Sequence, residues 1–187
     1  MPYMNEQTRS LMIDDYDALI QEITEERDAD AYYVNFMFNA LPGKETTRFA
    51  IMNSEVTRVH SLLTKHAVRK WKSPKWSDLV PVLIGAPDYP VIKRMKADAK
   101  LYQVNDGLHF NAVVLIPSRD VLDTPGKRSR LKESLEVHFA RREREYRTSR
   151  LARIHVTPVD PDTTMTDYML KAFRRGRITS DDILVLN

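Results

Sequence analysis

Cysteine is absent from all 187 residues. Disulfides and thiolate zinc sites are therefore excluded, and any metal must sit on histidine, carboxylate or amide oxygen. This fits a reducing, cytoplasmic setting. Long hydrophobic runs are missing too. The longest apolar stretch, near Ala112–Ile116, has the length of a strand, so neither a transmembrane helix nor a membrane partner is expected. No basic-then-apolar leader precedes Asp14, so no secretory signal is expected. Internal repeats and low-complexity blocks are absent as well. What remains, 42% hydrophobic and 29% charged, is an ordinary globular composition that can bury a core. The length suits one domain with modest decoration, read as an acidic N-terminal helix over residues 1–30 and a main domain over residues 31–187.

The net charge of +3 hides an asymmetry. Residues 5–30 carry nine acidic and two basic groups, whereas residues 31–177 carry 27 basic and 15 acidic groups. A body this basic attracts polyanions, with salt-sensitive affinity, and the acidic segment can shield it or pair with it.

Hydrophobic periodicity sets out the elements. Met12, Tyr16, Leu19, Ile20 and Ile23 predict a helix over Asn5–Arg27. The aromatic and β-branched run Ala31–Gly43 reads as a strand with a Pro-Gly exit. A second helix, capped by Asn53 or Ser54, extends to about Trp71. Leu79–Pro87, interrupted by proline, reads as a weak strand or an extended loop. Lys100–Val104, the turn Asn105-Asp106-Gly107 and Leu108–Pro117 read as a tight hairpin. A long basic helix is expected over about Lys127–Tyr146, then a strand over Arg150–Val159. A helix from Asp162 or Thr163 to Arg175 follows, stopped by Gly176. The end of the chain is a short strand or a docking tail. Hairpin-joined strands with helices between them favour an α+β fold: an antiparallel sheet of about five strands with helices packed mainly on one face.

Two patterns bear on chemistry. In His109-Phe110-Asn111, period two puts both polar side chains on one strand face, about 7 Å apart along the backbone. Gln103, across the expected turn, is a third oxygen donor. Imidazole plus oxygen ligands suits Mg²⁺ or Mn²⁺, with Mn²⁺ better matched to histidine. In Tyr168-Met169-Leu170-Lys171, helical spacing aligns Tyr168 with Lys171 and Arg175, while Met165, Met169 and Phe173 form an apolar stripe. A phenol needs positive neighbours or a polarised phosphate to act as a nucleophile. Of the other histidines, His155 reads as a sheet residue. His60 and His66, six apart, are poorly spaced for a shared metal, and His138 reads as helix packing or surface.

Taken in order, Tyr33–Asn39 (YVNFMFN), Gln103, Leu108–Pro117 (LHFNAVVLIP), Ala152–Asp160 (ARIHVTPVD) and Asp167–Gly176 (DYMLKAFRRG) span most of the chain. This set resembles the HUH endonuclease superfamily, the initiators and relaxases of rolling-circle replication. In that family a histidine–hydrophobic–histidine strand holds a divalent ion, an acidic or polar residue shortly upstream adds a ligand, and the tyrosine of a Y-x-x-K helix cleaves single-stranded DNA.

The resemblance implies ferredoxin-like or RNA-recognition-like connectivity. It also implies Tyr168 as nucleophile, Lys171 as the paired lysine, and His109 with Asn111 and Gln103 around Mn²⁺ or Mg²⁺. Asn111 stands where the family has its second histidine, and Gln103 where it usually has glutamate. Two neutral amides should hold the ion weakly until DNA phosphate completes the shell. Arg141, Arg142, Arg144 and Arg175 are the expected DNA-backbone contacts, with single-stranded or origin DNA as the partner. The chain has no G-x-x-x-x-G-K-[ST] loop, so a separate helicase would do the unwinding. A second reading is a non-catalytic DNA-binding module, a repressor or origin-recognition factor that has lost its ion. An ordinary RNA-recognition module is disfavoured, because no RNP-type aromatic strand is present.

Overall fold

The structure, a computed structural model, describes residues 4–89, 104–117, 131, 133–160 and 166–187. Its helices are α1 (Glu6–Glu26), α2 (Glu45–Ala67), α3 (Leu135–Arg141), α4 (Glu143–Tyr146), α5 (Thr166–Met169) and α6 (Lys171–Arg174). Its strands are β1 (Ala29–Phe38), β2 (Val82–Asp88), β3 (His109–Pro117), β4 (Leu151–Pro158) and β5 (Leu184–Leu186). The fold is α+β, built on one antiparallel sheet in the order β4-β1-β3-β2-β5. Without the short edge strand β5, the order and the intervening helices are those of the expected ferredoxin-like connectivity.

Each element has a local cause. Asn5 caps α1, its side-chain oxygen accepting from the Thr8 amide at 2.7 Å. The apolar stripe of α1, with Ile13 buried and Leu19, Ile20 and Ile23 partly so, packs onto the same core as the sheet. Helix α2 starts at Glu45, about two turns before the expected cap at Asn53 or Ser54. Phe49 and Met52 extend its buried stripe upstream, and that packing outweighs the missing side-chain cap at Lys44. The basic helix is shorter than expected. It begins at Leu135 behind a Ser134 cap and breaks at Arg142; the earlier part of the expected helix falls mostly outside the described residues.

Lys100–Gln103, nearly all of the first strand of the expected hairpin, lie outside the described residues. Strand β3 pairs with β1 from Phe110 to Pro117 and with β2 from His109 to Leu115. Val104–Gly107 is a single 3-10 turn, with Asn105 and Gly107 at φ of 56° and 79°. The buried Asn105 side chain accepts from the Leu41 amide at 2.6 Å and donates to the carbonyls of Phe38 (3.2 Å) and Asn39 (2.7 Å). It thus ties the entry of β3 to the exit of β1.

The sheet has two unlike faces. Phe36, Phe110, Gly85 and Leu151 line one, beneath α2, α3 and α4, as the connectivity predicts. The other carries Tyr33, Asn35, Asp88, His109 and Asn111, and α1, α5 and α6 add a second helical layer over part of it. For this reason β2 is buried along its whole length and β3 along nearly all of it. On β4, Arg153, His155 and Thr157 point to the second face and remain exposed. No helix among the described residues is long and apolar enough to cross a membrane.

Candidate functional site

The second face gathers side chains from five separate elements. The adjacent residues Asp88 and His109 are paired across β2 and β3, and Asn111 and Asn35 are paired across β3 and β1. Helices α5 and α6 bring Tyr168 and Lys171 over them.

Asp88 is the hub. Its side chain is 1% exposed, and its Oδ2 accepts from Lys171 Nζ at 2.6 Å and from Asn111 Nδ2 at 3.0 Å. His109 Nε2 lies 3.5 Å from the same oxygen. Burial pushes this carboxyl upward, but the hydrogen bonds and charges of His109 and Lys171 outweigh burial and hold it below the usual carboxylate range. Asp88 Oδ1 is buried and has no hydrogen-bond partner among the described residues. An orphaned carboxylate oxygen of this kind is where a cation or a water belongs.

The neighbours are locked in place. His109 Nδ1 is 2.9 Å from the Gly107 carbonyl, which can only accept. Nδ1 therefore carries a proton, and the ring turns its Nε2 toward Asp88. Asn111 donates to Asp88 through Nδ2, while its Oδ1 accepts from Asn35 Nδ2 at 2.7 Å. The amide expected as an oxygen ligand is thus turned to orient the carboxylate.

Tyr168 is 51% exposed, and its ring packs edge-on against Tyr33 at 5.3 Å between centroids. Lys171 Nζ stands 4.9 Å from the centre of the Tyr168 ring. Burial first, then the neighbouring Tyr168 and Asp88, raise the Tyr33 phenol well above its ordinary range. Its hydroxyl is buried without a hydrogen-bond partner among the described residues.

Tyr168, Lys171, His109 and Asn111 come together as the sequence suggests, and Gln103 lies outside the described residues. The arginines on α3 and α4 do not join them. Arg141 pairs with Glu133 at 2.6 Å and Arg142 with Glu145 at 2.9 Å, in the helical layer on the opposite face; the exposed Arg144 belongs to the same layer. Arg175 is exposed just beyond α6. On the site's own face Met37, Arg153, His155 and Thr157 are exposed, with His155 paired to Asn35.

Sequence reasoning missed Asp88. An acid that ends the apolar run Val82–Pro87 reads locally as a turn residue, and its burial comes only with the fold.

The donors fit a weakly held divalent ion. Among the described residues no group of three or more His, Cys, Asp or Glu converges. One carboxylate with a free buried oxygen and one imidazole do converge, and Mg²⁺ typically needs only one or two carboxylates, with waters and substrate phosphate completing its shell. Asp88 Oδ1 and His109 Nε2 would hold the ion. Comparison of the chain with family models, with curated proteins and with solved structures gives no match.

Proposed function

We propose that the protein nicks and rejoins single-stranded DNA through Tyr168, assisted by a divalent ion, as in the initiation of rolling-circle replication. The observation that carries this reading is the convergence of an exposed phenol, a lysine, a buried carboxylate and a tautomer-locked imidazole on one sheet face.

Tyr168 Oη would attack the scissile phosphorus, forming a tyrosine–phosphate bond as the bond from phosphorus to the 3′ oxygen breaks. The phenol gives up its proton and the 3′ oxygen gains one, leaving a 5′-phosphotyrosine and a free 3′-hydroxyl; the reverse reaction rejoins the strand. Lys171 would stabilise negative charge on the phenolate and the phosphate. The ion, Mn²⁺ or Mg²⁺, would supply Lewis-acid polarisation of a phosphate oxygen. Asn111 and Asn35 keep Asp88 oriented, and the Gly107 carbonyl keeps His109 in one tautomer. The open sheet surface at Met37, Arg153 and His155 leads to Tyr168 and suits a single strand, with a cation for its phosphates. In this reading the protein works in the cytoplasm and a separate helicase unwinds the duplex.

The test is covalent capture. A random-sequence single-stranded oligonucleotide pool is incubated with the protein and Mn²⁺, and adducts that survive denaturation are sequenced. Wild type should form an adduct, and Tyr168→Phe should form none while still binding the pool. An adduct formed equally by Tyr168→Phe would move the nucleophile elsewhere. Binding without any adduct would favour the second reading, a non-catalytic DNA-binding module, for which the Lys171–Asp88 ion pair is the supporting observation.

A further inference from the structure

Asp88 holds a negative charge almost wholly away from water and therefore needs a cation. Two candidates meet at it. Lys171 Nζ lies 2.6 Å from Oδ2, and the buried Oδ1, without a partner among the described residues, is the oxygen a metal ion would take. Both together would crowd three positive charges onto one carboxylate, with His109 beside them. Lys171 also lies beside the Tyr168 ring, so it has a second place to go.

We propose that Lys171 is a tethered cation that occupies Asp88 when no divalent ion is bound, and that the ion displaces it toward Tyr168 and the substrate phosphate. The proposal rests on the metal-assisted reading above. Three features support the exchange. Lys171 reaches Asp88 from the first residue of α6, just past the break at Leu170, on a long side chain that is 18% exposed. Asn111, itself held by Asn35, donates to Asp88 beside the lysine, so the carboxylate has an anchor that does not depend on Lys171. The lysine's two neighbours, Asp88 and Tyr168, are the groups the reaction would need as an anionic ligand and an activated phenol. Lys171 is in this respect a positioning residue for the ion as well as a stabiliser of charge. Metal affinity without DNA is low because the protein's own ammonium holds the site. Phosphate, by giving Lys171 another partner, makes the ion and DNA bind cooperatively.

Mn²⁺ binding to the DNA-free full chain, read by calorimetry and by loss of the free Mn²⁺ resonance, tests this directly. Removing a competing unit charge at contact distance should tighten Mn²⁺ binding about tenfold or more in Lys171→Met. Lys171→Arg should bind as weakly as wild type. Asp88→Asn combined with Lys171→Met should not bind, which assigns the signal to this site. If Lys171→Met does not fold, Lys171→Gln takes its place. Added DNA supplies a second arm: a single-stranded oligonucleotide should tighten Mn²⁺ binding by wild type more than it tightens binding by the lysine variant. Equal Mn²⁺ affinity in wild type and Lys171→Met would overturn the exchange and leave the metal site standing. Weaker binding in the variant would overturn it by making the lysine a helper. No Mn²⁺ binding by either, with or without oligonucleotide, would remove the metal reading and this proposal together.

Discussion

Cutting the Asp88–Lys171 pair from its two ends should have unequal consequences for stability. Asp88 is 1% exposed and Lys171 is 18% exposed. Lys171→Met leaves a buried carboxylate whose remaining donors are Asn111 Nδ2 and a distant His109. Stranding a buried charge costs about 3–5 kcal/mol, and the Asn111 hydrogen bond should keep this case near the lower end. Asp88→Asn leaves the ammonium instead, which can swing on its stem toward water, so the cost should be about 1–2 kcal/mol. The double variant should cost less than the two single changes combined, since each removes what the other strands.

Urea unfolding of wild type, both single variants and the double, with m-values compared, measures all three quantities. Acid gives a second signature. In wild type the Asp88 carboxyl lies below its unfolded value, so its contribution is complete above the unfolded pKa and is lost as pH falls. Without Lys171, burial should dominate and raise the folded pKa, so that protonation relieves the variant. The gap between Lys171→Met and wild type should therefore narrow from pH 7 toward pH 4. If Asp88→Asn is the more damaging change, or if the two changes are additive, Asp88 is not the buried hub described above.

His138 is buried, with its ring 5.3 Å from that of His66 and Nε2 2.8 Å from the Tyr146 hydroxyl; burial first, then the neighbouring His66, lower its pKa to about 4. Its unfolded form takes up a proton first, so stability should fall between about pH 6.5 and 4 by up to about 1.4 kcal/mol per unit, with a shallower fall in His138→Gln. A urea midpoint that is flat over this range in wild type would refute the assignment. Arg153→Ala should weaken single-stranded DNA binding for all sequences and reduce the log–log salt slope by about 0.7, whereas an unchanged slope would take the strand off this face. At Gly85 a β-carbon would lie 2.5 Å from the Asn111 carbonyl and 2.6 Å from the Phe110 ring. Gly85→Ala should therefore cost about 1–3 kcal/mol in urea unfolding, and a smaller cost would mean the β2–β3 contact yields easily.

What the sequence shows and what it hides follow from how each element is stabilised. Helix α1 and strands β1, β3 and β4 stand out because an apolar period matches one buried face or stripe. Strand β2 is obscured by Pro81, Gly85 and Pro87, yet it is buried along its whole length. Pro87 lies beyond Leu83–Gly85, the stretch that pairs with β5, so no hydrogen bond to β5 depends on its missing amide. The role of the Asn-Asp-Gly turn is hidden for another reason. Asn105 does adopt a positive φ, but its side chain serves the end of β1, a contact more than sixty residues away that local pattern cannot register. Asp88, between Pro87 and Tyr89, reads locally as a turn residue, and only its register opposite His109 makes it the centre of the site.

The topology itself explains why the tyrosine helix belongs over this face. In the order β4-β1-β3-β2, β1 and β3 are central neighbours, and the connections through α2 and through α3 and α4 cover one side of them. The other side of β1 and β3 then needs cover from outside the connectivity, or its apolar residues remain in water. Segment α1, before β1, and segments α5 and α6, after β4, supply it, with Met169, Ala172 and Phe173 buried and Thr166 bonded to Asp17 of α1 at 2.6 Å. Packing of Met169 and Phe173 fixes the helical phase, and that phase leaves Tyr168 exposed and turns Lys171 inward to Asp88. Edge strand β4 lies beyond the reach of these helices, which leaves Arg153, His155 and Thr157 open beside the phenol. The apolar positions of the last helical segments therefore determine where the nucleophile candidate points, and the chain order places it next to the uncovered part of the sheet.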